Sequence, residues 1–494
     1  LLPATAFLAR LALDATNNAP LMWEFTSQAI ALRPAETAAP YTVTVLLGLA
    51  TLISGAAALR ARGTLYPSLF ALAASLVAPL AAVVLELLWH PAQTLGDGPW
   101  ALHVMALAAL MTVFAITFAK TDPTKRSSAY ATLSALSLIA LSLFLLTTQS
   151  ALTLALAALV LAAAWLDRRF KLPEMAWFIQ LGCAVIGYRL TVDPGFAAAL
   201  SAPLPQVWIA YAGTVATLTA AWLTLAPLSR PAAKAVLESA ALGATALFAN
   251  VLIIRWLQGS DTTPNWIGSH WGATLNALPW LILMLTQLYR LQIPGPMRHL
   301  RQAIAALAAL LSGGALALSA GPFNPLFAWG AENTTSLTKG PLILDSLALA
   351  YALPGAMLLA AAYKMAWLHR TLRLALLAAG TALVALYTGL EIRRFWQGDY
   401  LGAPGVTQGE LYSYTIAMML LGAGLLYQAI AKRSALLRRI AMGVIALTVA
   451  KVFLLDASGL TGLTRVFSFL GLGLSLAGLA WLNRWAADAT TSRE

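Results

Sequence analysis

The sequence EIRRFWQGDYLGAPGVTQGELYSY, residues 391–414, joins two long apolar runs by a loop rich in charged and aromatic residues. After AKRSALLRR at 431–439, the chain continues IAMGVIALTVAKVFLLDASGLTGLTRVFSFLGLGLSL at 440–476. Lys451 lies inside this apolar stretch, Asp456 ends its first half, and Arg465 opens the second. A charged side chain is costly in hydrocarbon and usually has a function or an obligatory partner. The stretch therefore predicts membrane-crossing helices that carry ionisable residues toward one face.

The composition of the whole chain agrees with this interpretation. Hydrophobic residues make up 60% of the 494 residues and charged residues only 10%, whereas a soluble domain has roughly 25% charged residues. The apolar runs show no alternation of polar and apolar residues, which favours helices over a transmembrane barrel. We predict an all-α polytopic transmembrane helix bundle of about 15 spans. The predicted spans are 41–60, 65–89, 99–119, 127–147, 150–166, 174–192, 206–226, 233–257, 271–290, 300–320, 341–364, 371–391, 411–430, 435–456 and 462–484.

The basic residues are unevenly distributed between the two sets of loops. Of the 31 Lys and Arg residues, 22 follow odd-numbered spans, whereas 13 of the 19 acidic residues lie on the opposite side. Because cytoplasmic loops are enriched in Lys and Arg, we expect a multi-pass protein of the inner (cytoplasmic) membrane. Residues 1–40 are then periplasmic and the carboxy terminus is cytoplasmic.

The chain divides into four predicted segments. Residues 1–40 are too broken by charge to span and form an extramembrane or interfacial segment. A transmembrane bundle with hairpin repeats occupies 41–390, a carboxy-terminal transmembrane region 391–485, and a cytoplasmic tail 486–494. The sequence begins Leu-Leu-Pro without an initiator methionine, so we expect further residues before Leu1.

The chain also contains an internal similarity. IIRWLQG at 253–259 aligns without a gap onto IRRFWQG at 392–398. Each copy ends a predicted span with Arg, an aromatic residue, Gln and Gly. The similarity indicates a repeated unit of helical hairpins, whose copies share one orientation because basic loops align with basic loops.

The predicted outer face carries the candidate site. Glu391 and Asp456 are candidate general bases, since carboxylates at span ends can be partly desolvated. The candidate substrate-binding residues are Arg393, Arg394, Lys451, Arg465, Glu410 and Trp396. Arg394 and Arg465 would bind phosphate, and Lys451 would hold a carboxylate, for which Glu391 and Glu410 are the candidates. The alternative is a set of ion pairs that only joins helix ends, with tryptophans as interfacial anchors rather than stacking surfaces.

Other chemistries receive no support from the sequence. The five histidines have no metal-ligand spacing, so we predict no metal site and no cofactor. His270 is the one histidine that we would test as a base. The single cysteine, Cys183, lies in an apolar run and is expected to pack as a small hydrophobic residue. Basic residues are not interleaved with aromatic ones on a soluble domain, so we expect no nucleic-acid partner.

Four segments resemble the carboxy-terminal end of a bacterial family of very large membrane proteins known only as domain of unknown function twenty-three thirty-nine. They are EIRRFWQG at 391–398, GELYSYTIAMMLLG at 409–422, LLRRIAMGVIALTVAKVFLLD at 436–456 and LTGLTRVFSFLGLGLSL at 460–476. The resemblance covers 387–485 and implies a longer bacterial protein with additional spans. It adds weight to Glu391, Arg393, Glu410, Lys451, Asp456 and Arg465. It implies no established activity.

The sequence therefore leaves three functional hypotheses. The first is binding or processing of an anionic lipid-linked envelope substrate, a glycolipid or a phospholipid headgroup, at the periplasmic face. Its partners would be membrane lipids and a lipid-linked sugar. The second is a transporter or channel, which requires a continuous polar path. The third is a structural or assembly component of an envelope complex, without catalysis.

Overall fold

The computed structural model describes residues 2–16, 41–61, 64–122, 125–147, 149–258, 266–327 and 337–456, with isolated residues between 466 and 481. Helices joined by short turns form the part of the chain that is described, which confirms the all-α fold. The helices are α1 (Leu2–Thr16), α2 (Thr42–Arg60), α3 (Pro67–Trp89), α4 (Ala92–Leu95), α5 (Asp97–Thr121), α6 (Arg126–Leu146), α7 (Gln149–Phe170), α8 (Met175–Thr191), α9 (Gly195–Ser201), α10 (Leu204–Leu225), α11 (Pro231–Leu257), α12 (His270–Arg290), α13 (Arg298–Ala320), α14 (Ala348–Lys364), α15 (Arg370–Gln397), α16 (Gln408–Ala431) and α17 (Ala435–Lys451).

Ten of the described helices are long and apolar enough to cross a membrane, or eleven if α8 and α9, bent by 50°, form one broken span. The described residues therefore contain fewer spans than the fifteen predicted. Three predicted spans coincide with helices that fall short for different reasons. α12 carries His270, Asn276 and Gln287, α14 begins only after a non-helical turn, and α17 has 17 residues before the π-helical turn Val452–Asp456. The predicted span 462–484 lies largely outside the described residues.

The chain divides into two compact units. The first unit comprises Leu1–Trp256 and Pro279–Leu310, and the second Leu257–Leu278 and Leu311–Glu494. Small residues such as Ala157, Ala163 and Cys183 are buried in the largest apolar cluster of the first unit. Small side chains let membrane helices approach closely, since lipid provides no hydrophobic force between helices.

The amino-terminal helix α1 packs inside the first unit. α1 packs on α3, and the Trp89 indole donates a hydrogen bond to the Leu11 carbonyl oxygen at 3.2 Å. Leu11 and Trp89 are both almost completely buried. Residues 2–16 of the predicted extramembrane segment therefore form a packed helix, while residues 17–40 lie outside the described part.

Two buried tyrosines lie 140 residues apart, within one residue of the 139-residue offset between the two aligned segments. α10 and α14 contain one π-helical turn each, Trp208–Ala212 and Ala348–Ala352. Tyr211 in the first donates to the Leu190 carbonyl at 2.9 Å, and Tyr351 in the second donates to the Ser319 carbonyl at 2.7 Å. Both acceptors lie in the last turn of a helix, where carbonyl groups lack an intrahelical partner. The predicted internal repeat thus has a structural counterpart.

The two aligned arginines also act alike. Arg255, near the end of α11, donates to the carbonyl oxygens of Ala199 and Ala202 at 2.9 and 2.6 Å. Arg394, near the end of α15, donates to the Gly340 carbonyl at 2.6 Å. In each copy the arginine binds backbone carbonyls just before the helix that holds the π-helical turn. Such carbonyls need a donor when no water reaches them.

Close contact between α14 and α15 depends on two glycines. A Cβ atom added to Gly380 would lie 2.9 Å from the Gly355 carbonyl oxygen and 2.8 Å from Leu359 Cγ. Nothing lies within 4 Å of a Cβ atom added to Gly389 on the same helix. Gly380 and Gly389 therefore provide a matched pair of substitution sites on α15, one in close contact with α14 and one not.

We expect Gly380→Ala to lower the thermal unfolding midpoint in detergent, because overpacking costs about 1–3 kcal/mol. Gly389→Ala should leave the midpoint unchanged or raise it, since alanine favours helix by about 1 kcal/mol over glycine. Equal midpoints for the two variants would show that this close contact does not matter.

Candidate functional site

The candidate site is built on the turn 337–346, which precedes α14. Lys339 N–H donates to the Ser346 hydroxyl at 3.1 Å, and Ser346 N–H donates to the Lys339 carbonyl at 2.8 Å, so the turn is closed on itself. Gly340 has a φ of 101°, a left-handed conformation that glycine adopts without strain. Asp345 accepts from the Ala348 N–H at 2.7 Å and so caps the start of α14.

Arg394 holds this turn in place. Its Nη1 donates to Asp345 Oδ2 at 2.5 Å, and its Nη2 donates to the Gly340 carbonyl at 2.6 Å. Asp399 Oδ1 accepts from Nε and Nη2 at 3.2 and 2.9 Å. The Arg394 side chain is 6% exposed and the Asp345 side chain is fully buried. The N–H donors of the planar Arg394 guanidinium are therefore engaged by acceptors of the protein itself. To bind phosphate as predicted, Arg394 would have to give up one of these hydrogen bonds.

Glu391 reaches the same turn from α15. Its Oε1 accepts from the Ile343 N–H at 2.8 Å, and the Tyr387 hydroxyl donates to the Ile343 carbonyl at 2.9 Å. Ile343 has a positive φ of 75°, which is unusual for a β-branched residue. Glu391 Oε2 is buried and forms no hydrogen bond among the described residues. The predicted base thus has one oxygen engaged by the backbone and one oxygen that is buried without a hydrogen-bond partner among the described residues.

A lysine and a tryptophan lie at the rim of the turn. The Lys339 ammonium is 3.3 Å from the centroid of the Trp266 ring, a cation–π contact. Desolvation lowers the pKa of Lys339 from its ordinary value. The neighbouring Leu342, Ile343 and Leu344 are 49%, 68% and 79% exposed. A cation, an aromatic ring and apolar side chains thus lie on one short stretch of surface.

A second cluster surrounds Glu410 at the start of α16. Arg393 donates to Glu410 Oε1 at 3.1 Å and to the carbonyls of Leu401 and Ala403 at 2.7 and 2.5 Å. Gln397 and Tyr414 also donate to the Glu410 carboxylate, at 2.9 and 3.1 Å. The Glu410 side chain is fully buried. Because both of its oxygens are engaged, this cluster fixes the loop between α15 and α16.

Two more predicted site residues, from neighbouring helices, contact α16. Lys451 donates to the Leu411 carbonyl at 2.8 Å and to the Thr415 hydroxyl at 2.7 Å. Both acceptors are neutral, but they belong to the helix that begins beside Glu410, one of the two predicted partners. The Trp396 indole donates to the Ser413 hydroxyl at 3.0 Å, and the ring is 43% exposed. Trp396 therefore keeps an accessible face at this end of α15.

The structure brings some of the predicted residues together and separates others. Glu391 and Arg394 meet at the turn 337–346, whereas Arg393 turns to Glu410 in the second cluster. The Asp456 side chain and Arg465 lie outside the described residues. Sequence reasoning did not single out Lys339. The available signal was that Lys339 is one of few cations in loops that are otherwise acidic.

His270, the histidine chosen as a test base, is completely buried. Its Nε2 is 3.0 Å from the Ser346 hydroxyl, and its Nδ1 has no hydrogen-bond partner among the described residues. A serine–histidine catalytic pair requires a third group that orients the imidazole, and none binds Nδ1 here. Over the described ranges, no three His, Cys, Asp or Glu side chains are grouped so that they could hold a metal ion.

Removing Arg394 should destabilise the second unit. We expect Arg394→Gln to lower the free energy of unfolding by about 3–5 kcal/mol, because the substitution leaves the buried Asp345 carboxylate uncompensated. The double variant Asp345→Asn, Arg394→Gln should recover part of this loss. Thermal unfolding in detergent measures both effects, and backbone hydrogen exchange should rise at 338–346 in the single variant. The control is Arg370→Gln, at the exposed start of α15. Equal stability of the two single variants would show that Arg394 does not stabilise the turn 337–346.

The chain matches the model of a known protein family. A family model described as a predicted membrane protein (DUF2339) matches residues 5–485, so the similarity extends well beyond the carboxy-terminal region in which the motifs occur. No curated protein and no solved structure matches the chain. With ten long apolar helices and a match over nearly its whole length, the chain belongs to the DUF2339 family of membrane proteins, whose function is unknown.

Proposed function

We propose that this membrane protein binds the anionic headgroup of a lipid-linked envelope substrate at the turn 337–346, for transfer or translocation. The observation that supports this most directly is the Lys339 ammonium over Trp266 beside exposed apolar residues. A glycolipid or phospholipid presents a phosphate next to hydrocarbon, so its site needs a cation next to apolar surface. We assign the turn to the periplasmic face of an inner membrane, because it lies opposite the Lys- and Arg-rich loops.

Comparison of the two repeat copies supports a role for the added charges. The arginine that binds the backbone is common to both copies, as Arg255 and Arg394. Glu391 and Arg393, however, align with Leu252 and Ile254 in the first copy. The repeated fold therefore forms without these two charges. Charges at span ends that the fold does not require favour a function of the second copy.

Each residue of the turn then has a distinct role. Lys339 leaves the Trp266 ring to contact a phosphate oxygen, which gives a stronger, charge-assisted hydrogen bond. Trp266 is left free to stack on a sugar or to lie at headgroup depth. Glu391 Oε2, which is buried in this conformation, accepts a hydrogen bond from a headgroup hydroxyl once the turn shifts and uncovers it. Arg394 positions the turn through Asp345 and Gly340 and does not touch the substrate.

One observation favours an assembly component as the second candidate. The donors of Arg393 and Arg394 are largely engaged by carboxylates and carbonyls of the protein itself. A protein that only displays rigid loops to a partner would need these clusters and no available cation. The two candidates differ at Lys339, whose ammonium lies on an aromatic ring and forms no salt bridge within the described residues.

The test measures binding of a polyprenyl-phosphate-linked sugar and of phosphatidylglycerol to the purified full chain in neutral detergent. We expect Lys339→Gln to weaken binding of at least one of them about tenfold, the value of one lost charge-assisted hydrogen bond. Glu391→Gln should weaken binding of the sugar-bearing lipid more than that of phosphatidylglycerol, because it alters the acceptor for a hydroxyl group.

Lys364→Gln is the control, since Lys364 is an exposed lysine at the opposite end of α14. If Lys339→Gln and Lys364→Gln bind both lipids as the unsubstituted protein does, the substrate proposal fails. Co-purification of a stoichiometric protein partner without bound lipid would instead favour the assembly component.

A further inference from the structure

A basic cleft of about 500 Å³ lies in the first unit, at a distance along the chain from the turn 337–346. It is lined by the turns that join α10 to α11 and α12 to α13. A volume of this size is typical of small-ligand sites, which measure about 300–1,000 Å³. Five cationic side chains and one carboxylate line it, namely Arg230, Lys234, Arg290, Arg298, Arg301 and Glu238.

The carboxylates at the cleft are already occupied. Glu238 binds Arg290 through one oxygen at 2.7 Å and Arg301 through the other at 3.0 Å. Asp167, fully buried, accepts two hydrogen bonds from Arg230 at 2.9 and 3.0 Å. Five cations therefore face two saturated carboxylates, which fix three of the guanidinium groups and leave positive charge in excess.

The remaining two cations carry that excess. Lys234 Nζ donates to the Ala226 carbonyl at 2.7 Å, which is a neutral acceptor. Arg298 is exposed, and no carboxylate lies within salt-bridge distance of either side chain in the described ranges. Both side chains can therefore turn toward a ligand without breaking an ion pair.

The backbone adds to the positive potential. α11 begins at Pro231 and α13 at Arg298, and both starts lie at the cleft. Helix amino termini favour anions because their N–H groups are unpaired and the helix dipole is positive there. Neither first turn contains an acidic residue, whereas Lys234, Arg298 and Arg301 lie in these turns. Cations at the positive end of a dipole repel it, so the arrangement is stabilised by a bound anion.

We propose that this cleft binds a phosphate-bearing anion, with Lys234 and Arg298 as its direct ligands and Arg230, Arg290 and Arg301 as the fixed rim. The loops that form it belong to the Lys- and Arg-rich set of loops, which we assign to the cytoplasmic side. Basic pockets between transmembrane helices on that side suit acidic lipid headgroups. The phosphate comes either from a phospholipid of that leaflet or from a soluble phosphate compound. The site is separate from the proposed function and does not depend on it.

The experiment uses the purified full chain in neutral detergent with three probes: short-chain phosphatidylglycerol, short-chain phosphatidylcholine and inorganic pyrophosphate. We expect the double variant Lys234→Gln, Arg298→Gln to weaken binding of a phosphate-bearing anion about tenfold or more, because two charge-assisted contacts are lost. Binding of that anion to the unsubstituted protein should fall with added salt. Phosphatidylglycerol binding that pyrophosphate does not displace identifies a lipid headgroup, and tighter pyrophosphate binding identifies a soluble ligand.

The matched control is Lys364→Gln, Arg370→Gln, which removes one exposed lysine and one exposed arginine outside the cleft. It should bind both anions as the unsubstituted protein does, and so should Lys339→Gln in the pyrophosphate arm. The proposal is overturned if neither anion binds more tightly than phosphatidylcholine. It is also overturned if both double variants lose binding equally, because the effect would then be one of net charge.

Discussion

The second unit depends on the buried contact between Arg394 and Asp345. Taking two charges out of water is expensive, and the cost is offset only when the remaining donors and acceptors are also satisfied. Arg394 meets this condition through Asp399 and the Gly340 carbonyl, and Asp345 meets it by capping α14. The contact fixes the turn 337–346, and with it the positions of Lys339 and of the Ile343 amide that Glu391 binds. Without it, the Gly340 carbonyl would lose its donor and the buried Asp345 carboxylate its counter-charge.

The repeated unit shows why such a contact is needed. In both copies the last turn of an earlier helix, and the break before the helix that holds the π-helical turn, have backbone carbonyls without an intrahelical partner, which hydrocarbon does not tolerate. A buried tyrosine and an arginine at the end of a later helix supply the missing donors in each copy. Among the described residues, the arginine of the first copy binds neutral acceptors, whereas the second copy adds Asp345, Asp399 and Glu391 around the equivalent arginine. The second copy therefore contains the fold of the first and an additional charged layer.

The two regions that we propose as anion-binding sites distribute their charge in opposite ways. At the turn 337–346 Arg394 forms its hydrogen bonds with the protein itself, and the Lys339 ammonium lies on an aromatic ring. In the basic cleft the carboxylate forms ion pairs with arginines, and cations remain in excess at two helix amino termini. Arginine suits the first role because its planar fork binds several acceptors at once, while lysine keeps a mobile ammonium group. At the turn 337–346 the type of residue thus agrees with its role.

The sequence by itself determined the membrane class, the helical fold and the repeat, because hydrophobic run length and the alternation of basic loops follow directly from the thickness and sidedness of a bilayer. It also located Glu391, Arg394 and Glu410 at span ends. Only the tertiary structure decided which charges are engaged: Arg393 and Arg394 are neighbours in sequence yet bind different carboxylates, and Lys339 lies on Trp266 some seventy residues away. The predicted span 341–364 is too long for the same reason, since α14 begins only after a turn that Asp345 ends and Arg394 holds. Hydropathy measures the transfer of each residue to lipid one at a time, whereas these contacts depend on which distant segments satisfy one another's polar groups.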